Sequence, residues 1–227
     1  MRRHFIDIIY EDRDIIAVNK PRGVEVVNAQ ASALVDNVRA YLIRKFPGAA
    51  GSFVKPLHRL DKETTGIVLL AKSGAGMGLV EDIKEHRVRR TYSAVVEGAV
   101  EDEDGTIKLP LEKRDFGHGK KVGVAERGGG KKTITHYHVV ERYENASLLD
   151  INLETGFTHQ IRVHLAAIGH PLAGDKIYNP HGTIKFPRQA LHAAGVIFRH
   201  PVTGGKIQLK SPLPSDMEEL VDRLRGN

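Results

Sequence analysis

Paired β-prone runs joined by turn residues recur along this chain, and they constrain its fold more than any other feature. Phe5–Tyr10 and Ile15–Asn19 flank the polar turn Glu11-Asp-Arg-Asp14. Thr133–Tyr143 and Ala146–Glu154 flank Glu144-Asn145, and Leu191–Phe198 and Lys206–Lys210 flank Thr203-Gly-Gly205. Connections this short join antiparallel neighbours, because a parallel crossover takes a dozen residues or more. Further runs at Ile67–Lys72 and Thr91–Glu97 add strands outside the pairs. The expectation is an α+β fold on a mainly antiparallel mixed sheet with flanking helices.

The helices announce themselves by period. Leu34, Val38, Leu42 and Phe46 recur every four positions, so Ser32–Phe46 reads as a helix with one buried stripe, Ser32 as its N-cap and Pro47-Gly48 as its stop. A glycine-punctuated helix is expected near Leu79–His86. Phe157–Ile168 reads as another, with Ile161, Leu165 and Ile168 on one face and Gly169 behind it. The chain closes on an amphipathic helix carrying Met217, Leu220, Val221 and Leu224, with Ser215 and Glu218 at capping-box spacing. No repeat or composition break forces a boundary within residues 1–227. The strand–helix alternation of a dinucleotide-binding fold is missing, as are its glycine motif and the P-loop, which removes nucleotide-cofactor enzymes.

Composition narrows the chemistry. The chain has no cysteine, which excludes disulfides, thiol catalysis and cysteine-ligated metals. Its 34 Lys and Arg against 28 Asp and Glu leave a formal charge of +6, a surface suited to a polyanion. The start lacks an apolar signal core, and the longest strictly apolar run, Ile67–Ala71, falls far short of the roughly 20 residues of a membrane span. A cytoplasmic protein without a membrane partner is expected. Among twelve histidines, neither His136 with His138 nor His159 with His164 has the spacing of a zinc hydrolase, so no metal is expected.

Two polar constellations and one basic segment stand out. His58-Arg-Leu-Asp-Lys-Glu-Thr-Thr-Gly66 leads into an apolar strand, where Asp61 would be partly desolvated and reactive, or would simply pair with Arg59 or cap a turn. Thr155-Gly-Phe-Thr-His-Gln-Ile-Arg-Val-His164 puts His159 and Arg162 on one helix face, able to take a phosphate or carboxylate, or else to serve only as satisfied polar side chains. Lys108–Lys132 carries eight basic residues against three acidic ones, with six glycines between Gly117 and Gly130. It reads as strand fragments joined by basic loops that are either solvated or in contact with nucleic acid.

Taken together, these motifs resemble the RluA-type pseudouridine synthases. His58–Lys72 is similar to the aspartate signature, Val18-Asn-Lys-Pro-Arg-Gly23 to the early strand-turn motif, and Arg90-Thr-Tyr-Ser-Ala-Val-Val-Glu-Gly98 to the second motif. Thr155–Asp175 resembles the third, and Leu191-His-Ala193 with Phe198–Gly204 resembles the closing strands. The resemblance spans residues 5 to 214 and implies one catalytic domain over 1–227, with the pseudouridine synthase fold and a central active-site cleft. It implies an isomerase of uridine in ribosomal RNA or tRNA, without cofactor or metal, and a monomer as the default. Asp61 is implied as the catalytic aspartate, Tyr92 as the active-site tyrosine against the uracil, and Arg162 as the basic partner of the aspartate. Arg59 is implied to enter the space of the flipped nucleotide. His58, Thr64, His159 and Gln160 are expected to bind substrate, with Lys120 and Lys121 from the basic segment.

The sequence departs from the family pattern at two places. Thr65 stands where a serine is common and keeps the hydroxyl. Phe157 stands where the third motif commonly has arginine, so one positive charge near the RNA is lost. The S4-type RNA-binding module of many relatives is expected to be absent. Two other readings fit parts of the pattern: a silent RNA-binding protein on the same scaffold, and a nucleoside or glycoside hydrolase using Asp61. Against the first stands the trio Asp61, Tyr92 and Arg162; against the second, the lack of an identifiable partner acid.

Overall fold

A computed structural model describes residues 6–29, 33–47, 53–115, 120–126 and 129–226. In chain order the strands are β1 (Asp7–Glu11), β2 (Ile15–Lys20), β3 (Lys55–Pro56), β4 (Thr65–Ala71), β5 (Arg89–Glu97), β6 (Asp104–Lys108), β7 (Leu111–Asp115), β8 (Lys120–Val124), β9 (Ile134–Arg142), β10 (Ala146–Leu153), β11 (Leu191–Arg199) and β12 (Lys206–Lys210). The helices are α1 (Leu34–Lys45), α2 (Leu79–Lys84) after a 3₁₀ turn, α3 (Gln160–Ala167) and α4 (Ser215–Arg225). The chain divides into two compact units, one running up to Arg90 with Ala193–Pro212, the other formed by Thr91–His192 with the C-terminal helix. No helix among the described residues is long and apolar enough to cross a membrane.

In the first unit β2 pairs antiparallel with both β1 and β4, and β11 with β12. All seven residues of β4 are buried. Its odd positions Ile67, Leu69 and Ala71 pack with Ile15, Ala17, Val196, Phe198 and Leu79 on one side of the sheet. The even positions Val68 and Leu70 are shut from water too, so the strand is covered on both faces. Gly66 stands at φ +108° where the β11 backbone comes close, and a Cβ there would meet the Ala193 carbonyl oxygen at 2.3 Å. The N-terminal N–H groups of α1 are taken by backbone: Leu34 donates to Glu25 O at 2.9 Å and Val35 to Val26 O at 3.2 Å. Glu11 ties α1 to the sheet, accepting from Tyr41 at 2.9 Å and from Lys45 and Lys72 at 2.7 Å each.

Three expectations at the ends of elements are corrected. Ser32 lies outside the described residues, and the helix is capped at Ala33, whose N–H donates to Asp36 Oδ2 at 3.1 Å. Phe46 is not part of the buried stripe: it is the C-cap, 46% exposed, with the Lys45 and Lys72 ammoniums over its ring. At the last helix Pro214, not Ser215, is the cap, because its carbonyl accepts from Met217 and Glu218 N–H.

The second unit is an antiparallel run in the order β5-β10-β9-β6, with an irregularity between Leu148 and Leu149. Helix α4 buries Met217, Leu220 and Val221 against Val95, Leu148 and Ala173, a gain of about 1.5–3 kcal/mol for each large side chain. Arg188, fully buried, fixes the start of α4 by a two-pronged pair with Asp216 at 2.8 and 2.9 Å. The basic segment forms its own two-stranded sheet, β7 with β8, whose Leu111 and Val122 pack on Val163 of α3.

Candidate functional site

Asp61 sits in a turn that the first unit holds from two sides. The Asp61 carbonyl accepts from Thr64 N–H at 3.0 Å, closing the turn, and Leu57 N–H donates to Leu69 O at 2.9 Å, tying its approach to β4. The other side is held by Lys20, the last residue of β2, whose side chain is fully buried. Its ammonium donates to three carbonyls: Pro21 at 3.0 Å, Val24 at 2.8 Å and Lys62 at 2.9 Å. The three N–H donors of the ammonium thus have three backbone acceptors within reach. Lys62 O also accepts from Gly23 N–H at 3.0 Å, which locks the early strand-turn motif to the turn carrying Asp61. That Lys20 braces the turn carrying Asp61 is a contact the sequence motifs did not reveal.

Within this turn Asp61 is half-buried, Arg59 is exposed, and Thr64 and Thr65 are buried. His58 is buried at its nitrogens, and its Nε2 accepts from Leu69 N–H at 3.1 Å. Burial, then the nearby Arg90 charge, depresses its pKa to about 3. The ring is therefore neutral, with its proton on Nδ1.

In the second unit Tyr92 lies on β5, buried, opposite Ile151. Arg162 on α3 is buried and clamped by Asp175: Nε donates to Oδ2 at 2.7 Å and Nη2 to Oδ1 at 2.8 Å. Burial alone would raise the Asp175 pKa; Arg162 and the N–H groups of Ile177 and Tyr178 outweigh it and hold the carboxyl below its usual range. The Arg162 guanidinium also lies 5.1 Å from the centroid of the Tyr178 ring.

Helix α3 begins three residues later than its apolar period suggests. The Gln160 side-chain oxygen accepts from Phe157 N–H at 3.0 Å and Thr155 Oγ1 at 2.9 Å, so the preceding chain is held as a loop. His159 consequently stands outside the helix in the left-handed region, at φ +56°, and does not share a helical face with Arg162. The two meet a common residue instead, since His159 Nδ1 is 2.9 Å from the Tyr178 hydroxyl. At the far end Ile168 is the C-cap and 37% exposed, so the buried stripe ends at Leu165.

A chain of buried hydrogen bonds bolts α3 to β9. Gln160 Nε2 donates to Ile134 O and Thr135 Oγ1, both at 3.0 Å. Thr135 Oγ1 lies 2.9 Å from His164 Nδ1, and His164 Nε2 lies 2.9 Å from Thr133 Oγ1 and 3.2 Å from Leu109 O. Thr133 donates its proton to Leu109 O at 2.6 Å, which leaves His164 Nε2–H as donor and Nδ1 as acceptor from Thr135. Burial lowers the His164 pKa, in keeping with this neutral form.

In the basic segment Arg114 consumes the local acid, donating to Glu112 at 2.6 Å and Glu126 at 3.2 Å. Lys108, Lys113, Lys121, Lys131 and Lys132 are exposed. Lys120 opens β8 by its backbone, and its side chain lies outside the described residues, as do Gly117, Gly119, Arg127 and Gly128.

Comparison with known proteins follows the same residues. Residues 14–167 match the family model described as RNA pseudouridylate synthase. An uncharacterized RNA pseudouridine synthase, YlyB, of Bacillus subtilis is 42% identical over 230 residues, covering 98% of this chain and 74% of that protein. The ribosomal large subunit pseudouridine synthase D of Escherichia coli K12 is 38% identical over 237 residues, covering 98% and 71%. Among solved structures, human RNA pseudouridylate synthase domain containing 4 superposes with a TM-score of 0.80 at 24% identity, over 96% of this chain and 93% of that one.

Proposed function

This chain belongs to the RNA pseudouridylate synthase family, isomerases that turn uridine in RNA into pseudouridine, and from that premise we propose that Asp61, Tyr92 and Arg162 carry the reaction on large-subunit ribosomal RNA. The reaction is balanced within the substrate: the bond from ribose C1′ to uracil N1 breaks, the base turns, and C1′ bonds to C5. The proton lost from C5 is matched by one gained at N1. Such chemistry is close to glycoside cleavage, where a carboxylate supports positive charge at the anomeric carbon, and this is the role assigned to Asp61.

The observation that carries the reading is the turn at Asp61, half-buried and clamped by the caged Lys20 ammonium. A carboxylate held in place before substrate arrives needs no reorganisation during reaction. Tyr92 is assigned to the uracil face and to removal of the C5 proton. Arg162, oriented by Asp175, is assigned to keeping the aspartate ionised. Arg59 takes the space of the flipped nucleotide, and flipping costs roughly a few kcal/mol. His58, Thr64, His159 and Gln160 support substrate and site, with Gln160 and its hydrogen bonds serving to position α3. Lys120 and Lys121 contact phosphates, and residues 1–227 act as one catalytic domain.

The test is tritium release from uracil C5 in large-subunit ribosomal RNA and in tRNA, each taken from cells lacking the enzyme. Wild type is expected to release tritium from the ribosomal pool, and Asp61→Asn from neither. Release by Asp61→Asn removes Asp61 from its role; release from tRNA alone overturns the substrate assignment.

A further inference from the structure

Residues 174–187 of the second unit fold around a cavity of about 520 Å³ that opens to solvent. That volume falls within the roughly 300–1,000 Å³ of ligand sites. Three carboxylates hold its walls in shape, and each already has protein donors. Glu97 accepts from Asn179 Nδ2 at 2.9 Å and from Thr183 N–H, Thr183 Oγ1 and Ile184 N–H at 3.1 Å each. Asp175 clamps Arg162 and accepts from Ile177 and Tyr178 N–H, while Asp216 pairs with Arg188. Gly174 stands at φ +70°, where a Cβ would meet Arg188 O at 2.3 Å and Phe186 O at 2.6 Å, so the two ends of the segment pass in contact. The concavity is therefore preformed.

Its lining is of two kinds. Lys176 and Lys185 are exposed, and neither ammonium has a carboxylate partner among the described residues. Pro180, Ile184, Phe186 and Pro187 supply apolar surface, with the Phe186 ring centred 5.3 Å from the Arg188 guanidinium. Two cations beside an aromatic and aliphatic wall match a nucleotide within a strand, which carries a negative phosphate on either side of an apolar base face. The cavity also adjoins the machinery proposed above, since Lys176 directly follows Asp175 and Tyr178 lies against Arg162. We propose that this cavity seats a nucleotide of the RNA substrate other than the isomerised uridine, with Lys176 and Lys185 on its flanking phosphates and its base against the apolar wall. The assignment rests on the reading of this chain as an RNA-modifying enzyme. The seat holds the strand beside the reacting uridine and so fixes its register.

The experiment measures affinity against salt for a large-subunit ribosomal RNA fragment that wild type converts. Lys176→Gln/Lys185→Gln is compared with Lys206→Gln/Lys210→Gln, which removes the same charge from exposed positions of β12 in the first unit. The first pair is expected to weaken binding about tenfold and to make the log–log slope shallower by about 1.4, for two phosphate contacts on a single strand. The β12 pair is expected to keep the wild-type slope, and both variants the wild-type melting temperature. A second readout is amine labelling of the wild-type protein, resolved by peptide. RNA is expected to slow labelling of Lys176 and Lys185 but not of Lys206, and inorganic polyphosphate at equal phosphate concentration to protect neither. Equal protection by polyphosphate overturns the nucleotide seat and leaves a general cationic surface. Equal losses in the two double variants overturn it as well. Unchanged affinity and slope in Lys176→Gln/Lys185→Gln, with wild type converting the fragment, overturn the seat and leave the enzymatic reading standing. If wild type neither binds nor converts RNA, that reading falls and the seat falls with it.

Discussion

Each compact unit keeps one neutral histidine beside its candidate chemistry, and the two are satisfied differently. His164 in α3 uses both ring nitrogens, on Thr133, Leu109 and Thr135, and continues through Thr135 to Gln160. His58, before β4, uses Nε2 on Leu69, while its Nδ1 is shut from solvent beside the Arg59 backbone. The same difference separates the arginines: Arg162 is clamped by Asp175, whereas Arg90 has no carboxylate among the described residues. A fully satisfied polar network fixes a helix and gains nothing from a ligand. Identical residue types are thus embedded in a side-chain network in one region and held chiefly by burial and backbone in the other.

The contrast can be broken outright at Asp61. Asp61→Asn should lower turnover by on the order of 10⁴-fold while RNA affinity stays within a few-fold, read by tritium release and filter binding. Next in size is Asp175→Asn, which removes the carboxylate that clamps the buried Arg162 guanidinium. It should cost about 3–5 kcal/mol in a chemical melt. His164→Leu strands the polar groups around it and should cost about 1–3 kcal/mol at pH 8, with RNA affinity unchanged in the fraction that folds.

Acid sharpens the comparison further. A histidine whose folded pKa is depressed binds its proton only on unfolding, so stability falls as pH drops below the unfolded value of about 6.5. For His58 the loss continues to about pH 3, at about 1.4 kcal/mol per pH unit. His58→Gln should therefore flatten the stability profile between pH 6.5 and 4.5, and His164→Gln should do the same from the second unit. Asp175, with its pKa lowered, adds stability at neutral pH that is lost only as pH falls below the unfolded carboxyl value of about 3.9 and through the folded one, beneath the pH 6.5–4.5 window of the histidine comparison. The smallest effect is expected in the basic segment: neutralising Lys121 alone should reduce the salt slope by about 0.7, with no change in melting temperature.

Much of the fold was legible because alternation and turn residues are local signals. β9 and β10 meet around Glu144-Asn145 as the spacing predicts, and β11 and β12 around Thr203-Gly-Gly205. The errors cluster where a side chain overrides the period. Gln160 captures the Phe157 N–H and delays α3, which moved His159 off the helix. Phe46 and Ile168 fit the apolar period yet stand at helix ends, where one more turn finds no partner. Lys20 was invisible for a different reason. The signal is a lysine closing the apolar run Ile15–Val18 just before Pro21, but one of its acceptors lies 42 residues away on Lys62. No window along the chain contains both. Asp61, Tyr92 and Arg162 were found through their motifs; that Asp175 holds Arg162 was not, although Asp175 ends the same motif.

The caged ammonium of Lys20 also makes this lysine a built-in reporter. Amine-reactive reagents need an uncharged, accessible nitrogen, and Lys20 offers neither while its three carbonyls stay in place. Labelling at Lys20 therefore proceeds only through molecules in which the turn at Asp61 has opened. Its rate relative to exposed Lys121, read peptide by peptide in a mass spectrometer, measures the free energy of that local opening without a probe being introduced.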